Sequence, residues 1–472
     1  MRLGFDDIKH WLFDIRLWIL VLFLVRLENI DLPALDEHAW RQSITLGVAR
    51  NYLEWDANFF HPRTVICDSR GGIQAQEFPL FNYCIFLLWK VFGTHNWCFR
   101  LFNLIVASMG LFAFHRIVRR MTGDERTGFY ASVIFGVSVA FMYARKAMPD
   151  VFAVSLVLMG VSWGWRYLEE KKNRQLALFF VLSALGLLCK MPAACVLAFM
   201  APPVFDAGKD MRQRLGIVVA GSLAVATMAA WYFVWVPWAE ETYRFPLFYP
   251  TSLAEGWQQL VTMADDTLSR FYPIALTSKI AFLFCLTGLV IMFWKKAWPL
   301  VISFACSTAL LFALMLKAGG TFSGHVYYVI PYVPTMALLA GYGLRNAIGS
   351  QNVQLLVLIA IATEAIWIHK SDFFIPWQDK KMLKLEKITD SVVPRDSRVL
   401  VNGKSGSPTM MYFTHRLGWT VDDRMKDTAW LNGETTVGLH YAIIDRSRWQ
   451  DSLPYLMLYE DNEFRIFKIK KD

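Results

Sequence analysis

"FPLFNYCIFLLWKVFG" occupies residues 78–93. Whether this run crosses a membrane fixes the side on which every later loop lies. It is apolar, but Pro79 and Lys90 interrupt it. It is also shorter than the roughly 20 residues that a spanning helix needs. Suppose it lies on the membrane or dips into it, with the N-terminus inside. The loops with Arg116, Arg119, Arg120 and Arg126, with Arg166, Lys171, Lys172 and Arg174, with Lys209, Arg212 and Arg214, and with Lys295 and Lys296 then all face the cytoplasm. Each of these loops obeys the positive-inside rule. A complete crossing would invert all of them. Residues 28–97 are therefore predicted to form one large outside loop with membrane-hugging segments, and the C-terminus is predicted outside.

Composition agrees with a membrane chain. Of 472 residues, 55% are hydrophobic and only 18% charged, against about 25% charged in an ordinary soluble domain. Apolar runs recur near 11–27, 98–117, 127–144, 150–168, 174–189, 191–206, 215–236, 279–294, 298–316, 326–344 and 353–370. The expected architecture is mainly α: a multi-pass transmembrane helical bundle of about 11–13 spans in residues 1–371, then a small C-terminal α/β soluble domain in 372–472. That tail alternates β-like runs, "RVLVNG" (398–403), "HYAIID" (440–445) and "FRIFKIK" (464–470), with a short helix at "SPTMMYFT".

The net charge of +9 belongs to the cytoplasmic loops. No basic stripe interleaved with aromatics points to nucleic acid as a partner. Cys67 and Cys98 are the cysteines placed to pair across an outside loop; the others in apolar runs read as small packing residues. The sequence has no P-loop, no GxGxxG after a strand and no HExxH. No nucleotide is expected, so activation energy must arrive on the substrate.

The predicted topology gathers polar residues on one face. Asp36 and Glu37 follow the first apolar run, and Asp36 is expected to cap a helix through 38–53. Trp40, Ile44, Val48 and Tyr52 recur every four residues, so that helix is expected to rest an apolar stripe on the bilayer. Arg41 lies in its first turn, and "FFHPRT" adds His61 and Arg63. "QAQEFPLFNY" offers Glu77, "ARKAMPDVFAV" offers Asp150 and "LLCKMPAA" offers Lys190. "KAGGTFSGHVYYVIPYVP" carries Lys317, His325, Tyr327 and Tyr328. Each has a plainer structural reading. Asp36 could be an ordinary cap, Glu77 a solvated loop acid, Asp150 a complement to a helix dipole, Lys190 a snorkelling lysine and His325 an interfacial histidine. Together, acids that can bind a divalent cation or take a proton, beside cations that can neutralise phosphate, point to a phosphate ester at the lipid boundary.

The ordered set "WRQ", "ARN", "NFFHPR", "QEFPLFNY", "MPD", "KMPAA" and "HVYYVIPYVP" behind an Asp-Glu pair resembles the C-type-fold membrane glycosyltransferases. The branch it resembles holds the bacterial relatives of protein O-mannosyltransferases and of the lipid A aminoarabinose transferase. The resemblance implies transfer of a sugar, with inversion, from a polyprenyl-phosphate-linked donor to an acceptor hydroxyl at the periplasmic face of the cell inner membrane. The acceptor class is a lipid, a polysaccharide or a protein. By position, Asp36 resembles the catalytic acid–base of the first loop, with Glu37 beside it, and Asp150 resembles the acid of the second outside loop. Arg41, His61, Arg63, Lys190, Lys317, His325, Tyr327 and Tyr328 resemble substrate-binding positions. Glu77 and His325 resemble ligands of a divalent metal (Mg, Mn or Zn). The chain departs from the aminoarabinose branch in "EFP", where a basic residue follows the acid there, and it lacks the DxD of the oligosaccharyl branch at Asp150.

Two other readings stay open from sequence. A secondary transporter would also hold intramembrane acids, though usually near the midplane in two related halves. A ligase or polymerase of lipid-linked polysaccharide would share the donor and differ in acceptor.

Overall fold

Continuity of the apolar runs, rather than their composition, decides how many become full-length helices. The computed structural model describes residues 11–74, 76–245, 250–403 and 406–469. The N-terminal ten residues, Ala75 and the end of the 464–470 run lie outside that set. Among the described residues, five helices are long and apolar enough to cross a membrane: Asn96–Thr122, Pro149–Glu170, Met211–Tyr243, Trp298–Ala318 and Gln351–Phe373. A sixth comes from Ala264–Ala275 plus Lys279–Trp294 if this pair, bent by 100°, counts as one span. Other expected spans are shorter or broken. Ile15–Val25 and Asn173–Cys189 are short apolar helices. The run 127–144 breaks at Ser138, whose extended backbone ends helix Glu125–Val137. Lys190 is likewise extended and separates Asn173–Cys189 from a 3-10 stretch, Met191–Met200. A hydropathy window reads apolar length and does not see such breaks. The chain is a multi-pass membrane protein of mainly helical structure.

The chain divides into two compact units. The first comprises Met1–Ile30, Phe99–Val234 and Tyr249–Phe373, and so holds nearly all the long apolar helices. Helices Lys279–Trp294 and Val333–Ala347 cross with their backbones in contact: a Cβ at Gly288 would lie 1.9 Å from the Leu339 carbonyl oxygen, and one at Gly343 2.1 Å from that of Phe284. Only glycine permits this approach, the usual device where lipid offers no hydrophobic drive between helices. The outer face of Lys279–Trp294 leaves Leu283, Val290, Phe293 and Trp294 exposed, which suits a lipid solvent.

The second unit comprises Asp31–Cys98, Trp235–Phe248 and Phe374–Asp472. Helix Leu80–Phe92 holds most of the apolar run 78–93. It has 13 residues, about 20 Å of rise against about 30 Å of hydrocarbon, so it is too short to cross. The stripe on helix Ala39–Glu54 corrects an expectation. Val48 and Tyr52 are buried against Phe86, with Tyr83 beside them, so this part of the stripe meets protein instead of the bilayer. Periodicity reports an apolar face but not what covers it.

The tail forms a five-stranded sheet. Its strands are β1 (Arg398–Val401), β2 (Leu417–Thr420), β3 (Leu439–Asp445), β4 (Leu456–Glu460) and β5 (Phe464–Lys468). The order is β2-β1-β3-β5-β4, with β1 parallel to β2 and β3 and the other pairings antiparallel. The three expected β runs and the helix Thr409–Thr414 are present. The edge of β2 is covered from the first loop: Cys67 N–H donates to the Gly418 carbonyl at 3.0 Å, and Gly418 N–H to that of Val65 at 3.2 Å. Loop residues 31–98 thus cluster with residues 374–472. Cys67 and Cys98 are both free thiols.

Candidate functional site

The chain enters helix Ala39–Glu54 through His38, which is left-handed at φ 61° and provides no side-chain cap. This overturns the reading of Asp36 as the helix cap. Its carboxylate is instead buried, with 3% of the residue exposed. Gln42 Nε2 donates to Asp36 Oδ1 at 2.6 Å and to the Glu37 carbonyl at 3.2 Å. An ionised carboxylate has acceptor capacity on both oxygens, and the Gln42 amide fixes one of them. Glu37 points away, with its side chain 61% exposed and His38 Nε2 3.6 Å from its Oε1. Arg41 is buried and donates from Nη2 to Glu77 Oε2. Asp36, Gln42, Arg41 and Glu77 form the first polar group, within the second unit.

The second group lies in the first unit. Asp150 sits in the first turn of helix Pro149–Glu170, where its charge complements the dipole. Lys190 is the extended residue that ends Asn173–Cys189. Lys190 Nζ lies 3.5 Å from Asp150 Oδ1 and 5.8 Å from the centres of both the Tyr327 and Tyr328 rings. His325, extended between two short helical turns, stacks obliquely on the same tyrosines at 5.3 and 5.9 Å. Four predicted residues, Lys190, His325, Tyr327 and Tyr328, therefore converge with Asp150. The ammonium is thus placed between a carboxylate and two aromatic rings.

Three predicted residues are engaged elsewhere. Lys317 is exposed and donates to the Thr251 carbonyl at 3.2 Å. His61 Nδ1 meets Asp56 Oδ2 at 2.7 Å, and this hydrogen bond holds the Asp56 carboxyl below its usual range. Arg63 folds its guanidinium onto the Gly71 carbonyl, and its backbone bridges to Ile73, so it closes the loop that bears it.

Sequence reasoning missed the residues that hold the loop before Asp150. Asn103 Nδ2 donates to the carbonyls of Lys146 at 2.9 Å, Tyr143 at 3.1 Å and Met148 at 3.5 Å. Arg100 Nη1 donates to the Arg145 carbonyl at 3.1 Å. Arg145 Nη2 in turn donates to the carbonyls of Glu28 and Asn29 at 2.7 and 2.9 Å. The one local signal was a pair of strongly polar residues three apart in an apolar helix.

The metal expectation meets a physical obstacle at Glu77, because a cation there would have to displace the Arg41 guanidinium. Among the described residues, the three side chains whose ligand atoms lie within 4.8 Å of one another are Glu386, Asp390 and His415. Their carboxylates already face guanidiniums, Arg50 at 3.4 Å from Glu386 and Arg416 at 2.5 Å from Asp390. Neither set is poor in positive charge, as an acidic metal site would be.

The chain is similar in fold to ArnT from Cupriavidus metallidurans, in the apo state, with a TM-score of 0.62 over 96% of this chain and 97% of that one, at 11% identity. This is the C-type glycosyltransferase fold. The same C-type fold is seen in ArnT bound to undecaprenyl phosphate, at TM-score 0.59, 11% identity and 96% and 98% coverage. The oligosaccharyltransferase of Archaeoglobus fulgidus in complex with Zn and sulfate matches at TM-score 0.53 and 10% identity, over 91% of this chain and 68% of that one. Residues 76–238 match the family model of dolichyl-phosphate-mannose-protein mannosyltransferases. A protein of Aquifex aeolicus (strain VF5), described as uncharacterized, is 25% identical over 167 residues, which is 35% of this chain and 34% of that protein. The match thus spans about a third of that relative's length.

Proposed function

We propose that this chain is a membrane glycosyltransferase that moves a sugar from a polyprenyl-phosphate-linked donor to an acceptor hydroxyl, with inversion at the anomeric carbon. The observation that carries the reading is the fold likeness to ArnT along nearly the whole of both chains, one of those structures being bound to undecaprenyl phosphate. The match of residues 76–238 to the mannosyltransferase family model supports the same class of donor. The proposed setting is the periplasmic face of the inner membrane, with the N-terminus cytoplasmic.

In this reading the acceptor oxygen attacks the anomeric carbon while Asp36 takes its proton. The Gln42 amide, donating to Asp36 Oδ1, holds that carboxylate in place. General-base help of this kind contributes about 10²–10⁴-fold. The bond from the anomeric carbon to the donor phosphate oxygen breaks, and its electron pair leaves on the phosphate. That leaving group is already acidic, so it needs positive charge more than a proton. Lys190 supplies it, and the His325 and tyrosine side chains around the ammonium shape the phosphate pocket.

The test is an assay in detergent with synthetic polyprenyl-phosphate sugars, following release of polyprenyl phosphate. Asp36→Asn is expected to lose at least about 100-fold in turnover while still binding donor. Turnover at the wild-type rate would remove Asp36 from the role of base. No release from any polyprenyl-phosphate sugar, with acceptor supplied as a crude envelope extract, would overturn the donor class.

A further inference from the structure

A second feature lies at the other end of helix Asn96–Thr122. Arg100 and Asn103, near its start, hold the loop before Asp150. Sixteen residues on from Arg100, about 24 Å along the axis, Arg116 lines a cavity of about 750 Å³. Arg16, Arg119 and Arg126 line the same cavity, with Asp14 and Glu125 as its only carboxylates among the described lining residues. Asp14 is taken up by Arg16 at 2.5 Å, and Glu125 by Arg119 at 3.1 Å with His115 at 2.9 Å. Four guanidiniums against two carboxylates leave two positive charges. Arg116 and Arg126 form no ion pair among the described residues.

An apolar groove continues from this mouth. A neighbouring cavity of about 550 Å³ shares Arg16, Phe112 and Arg116 with the first. It runs along Ile105 and Met109, which are 45% and 54% exposed. A lone arginine at a helix end is adequately explained by snorkelling to headgroups at large. Here the arginines line a cavity, and the groove that continues from it leaves Ile105 and Met109 exposed. A free phosphate would have no use for the groove, and an uncharged lipid none for the mouth.

We infer that this groove is a specific seat for an anionic glycerophospholipid of the surrounding bilayer, its phosphate between Arg116 and Arg126 and one acyl chain along Ile105, Met109 and Phe112. The seat is separate from the donor phosphate pocket, and the inference stands or falls independently of the proposed transfer reaction. Charge complementarity selects the headgroup, and the exposed apolar side chains of Ile105 and Met109 offer a surface for an acyl chain.

The full-length protein in detergent is titrated with phosphatidylglycerol, phosphatidylcholine or undecaprenyl phosphate, and binding is read by native mass spectrometry. Phosphatidylglycerol is expected to bind in preference to phosphatidylcholine. The double variant Arg116→Gln, Arg126→Gln should weaken it about thirtyfold, whereas Arg212→Gln, an exposed arginine outside the cavity, should leave it unchanged. Met109→Trp, which fills the groove and keeps every guanidinium, should also weaken it. Equal binding of the two phospholipids would overturn the inference. So would equal losses in the Arg212 control, an unchanged affinity in Met109→Trp, or loss of undecaprenyl phosphate alone in the double variant.

Discussion

Lys190 and Asp150 form a buried ion pair, Nζ to Oδ1 at 3.5 Å, with their side chains 10% and 1% exposed. The pair links the first turn of helix Pro149–Glu170 to the residue that ends helix Asn173–Cys189. Removing one leaves the other desolvated, which costs about 3–5 kcal/mol. Asp150→Asn and Lys190→Met are each expected to lower the melting temperature in detergent, and the double variant to recover much of the loss. A double variant that melts at the sum of the two single losses would show that the pair is not coupled.

Lys190 also carries the proposed donor contact, and this separates it from Asp150 in kinetics. Lys190→Ala should raise the apparent KM for polyprenyl-phosphate sugar by about tenfold or more, from loss of a charge-assisted contact. An unchanged KM would return Lys190 to a purely structural role.

Asn103 tests the support of that region. Its amide bonds the carbonyls of Tyr143, Lys146 and Met148 just ahead of Asp150. Asn103→Ala removes these three hydrogen bonds to the backbone, at about 1–3 kcal/mol in all. Asn103→Asp should be worse, because it sets a carboxylate against those oxygens. Proteolysis between residues 143 and 150, compared with wild type, reads the loosening.

Arg41 and Glu77 make a directed pair on a mostly buried site. Arg41→Lys keeps the charge and loses the planar fork, so it should behave much like Arg41→Ala in thermal stability. Full stability in Arg41→Lys would mean that charge alone is what Glu77 requires.

The second unit should loosen in acid. Burial pushes the Glu54 carboxyl up, but its hydrogen bond with His415 and the charges of His415, Arg50 and Arg395 outweigh this and hold it below the usual range. Burial likewise raises Asp390, and the Arg416 hydrogen bond and charge bring it down. A carboxylate depressed in the folded state stabilises fully above its unfolded value, near pH 4. That stability is lost as the pH falls through the folded value. Protection of helix Ala39–Glu54 and of the tail in hydrogen exchange should therefore hold from pH 7 to about 5 and fall below about 4. In Glu54→Gln, Asp390→Asn this acid step should shrink; an undiminished step would assign it to other carboxylates.

The hydropathy pattern was enough to specify a membrane chain, a short apolar helix at Leu80–Phe92, and a C-terminal sheet whose strands at 398–401, 439–445 and 464–468 lie where the alternation predicts them. These are local properties, because an apolar run buries itself wherever it lands and a two-residue period has one pleated solution. The cluster of Lys190 with His325, Tyr327 and Tyr328 was foreseen as residue types, but its pairing with Asp150 joins segments 40 residues apart. The role of Asp36 turned on His38 taking a left-handed backbone, and on Gln42 rather than the helix end becoming its partner. The apolar stripe of helix Ala39–Glu54 reads the same whether lipid or helix Leu80–Phe92 covers it. Sequence by itself determined which surfaces must leave water. Only the tertiary structure decided which buried charge meets which, because the free energy of a desolvated charge depends on its partner's position, and that position is set by the packing of distant segments.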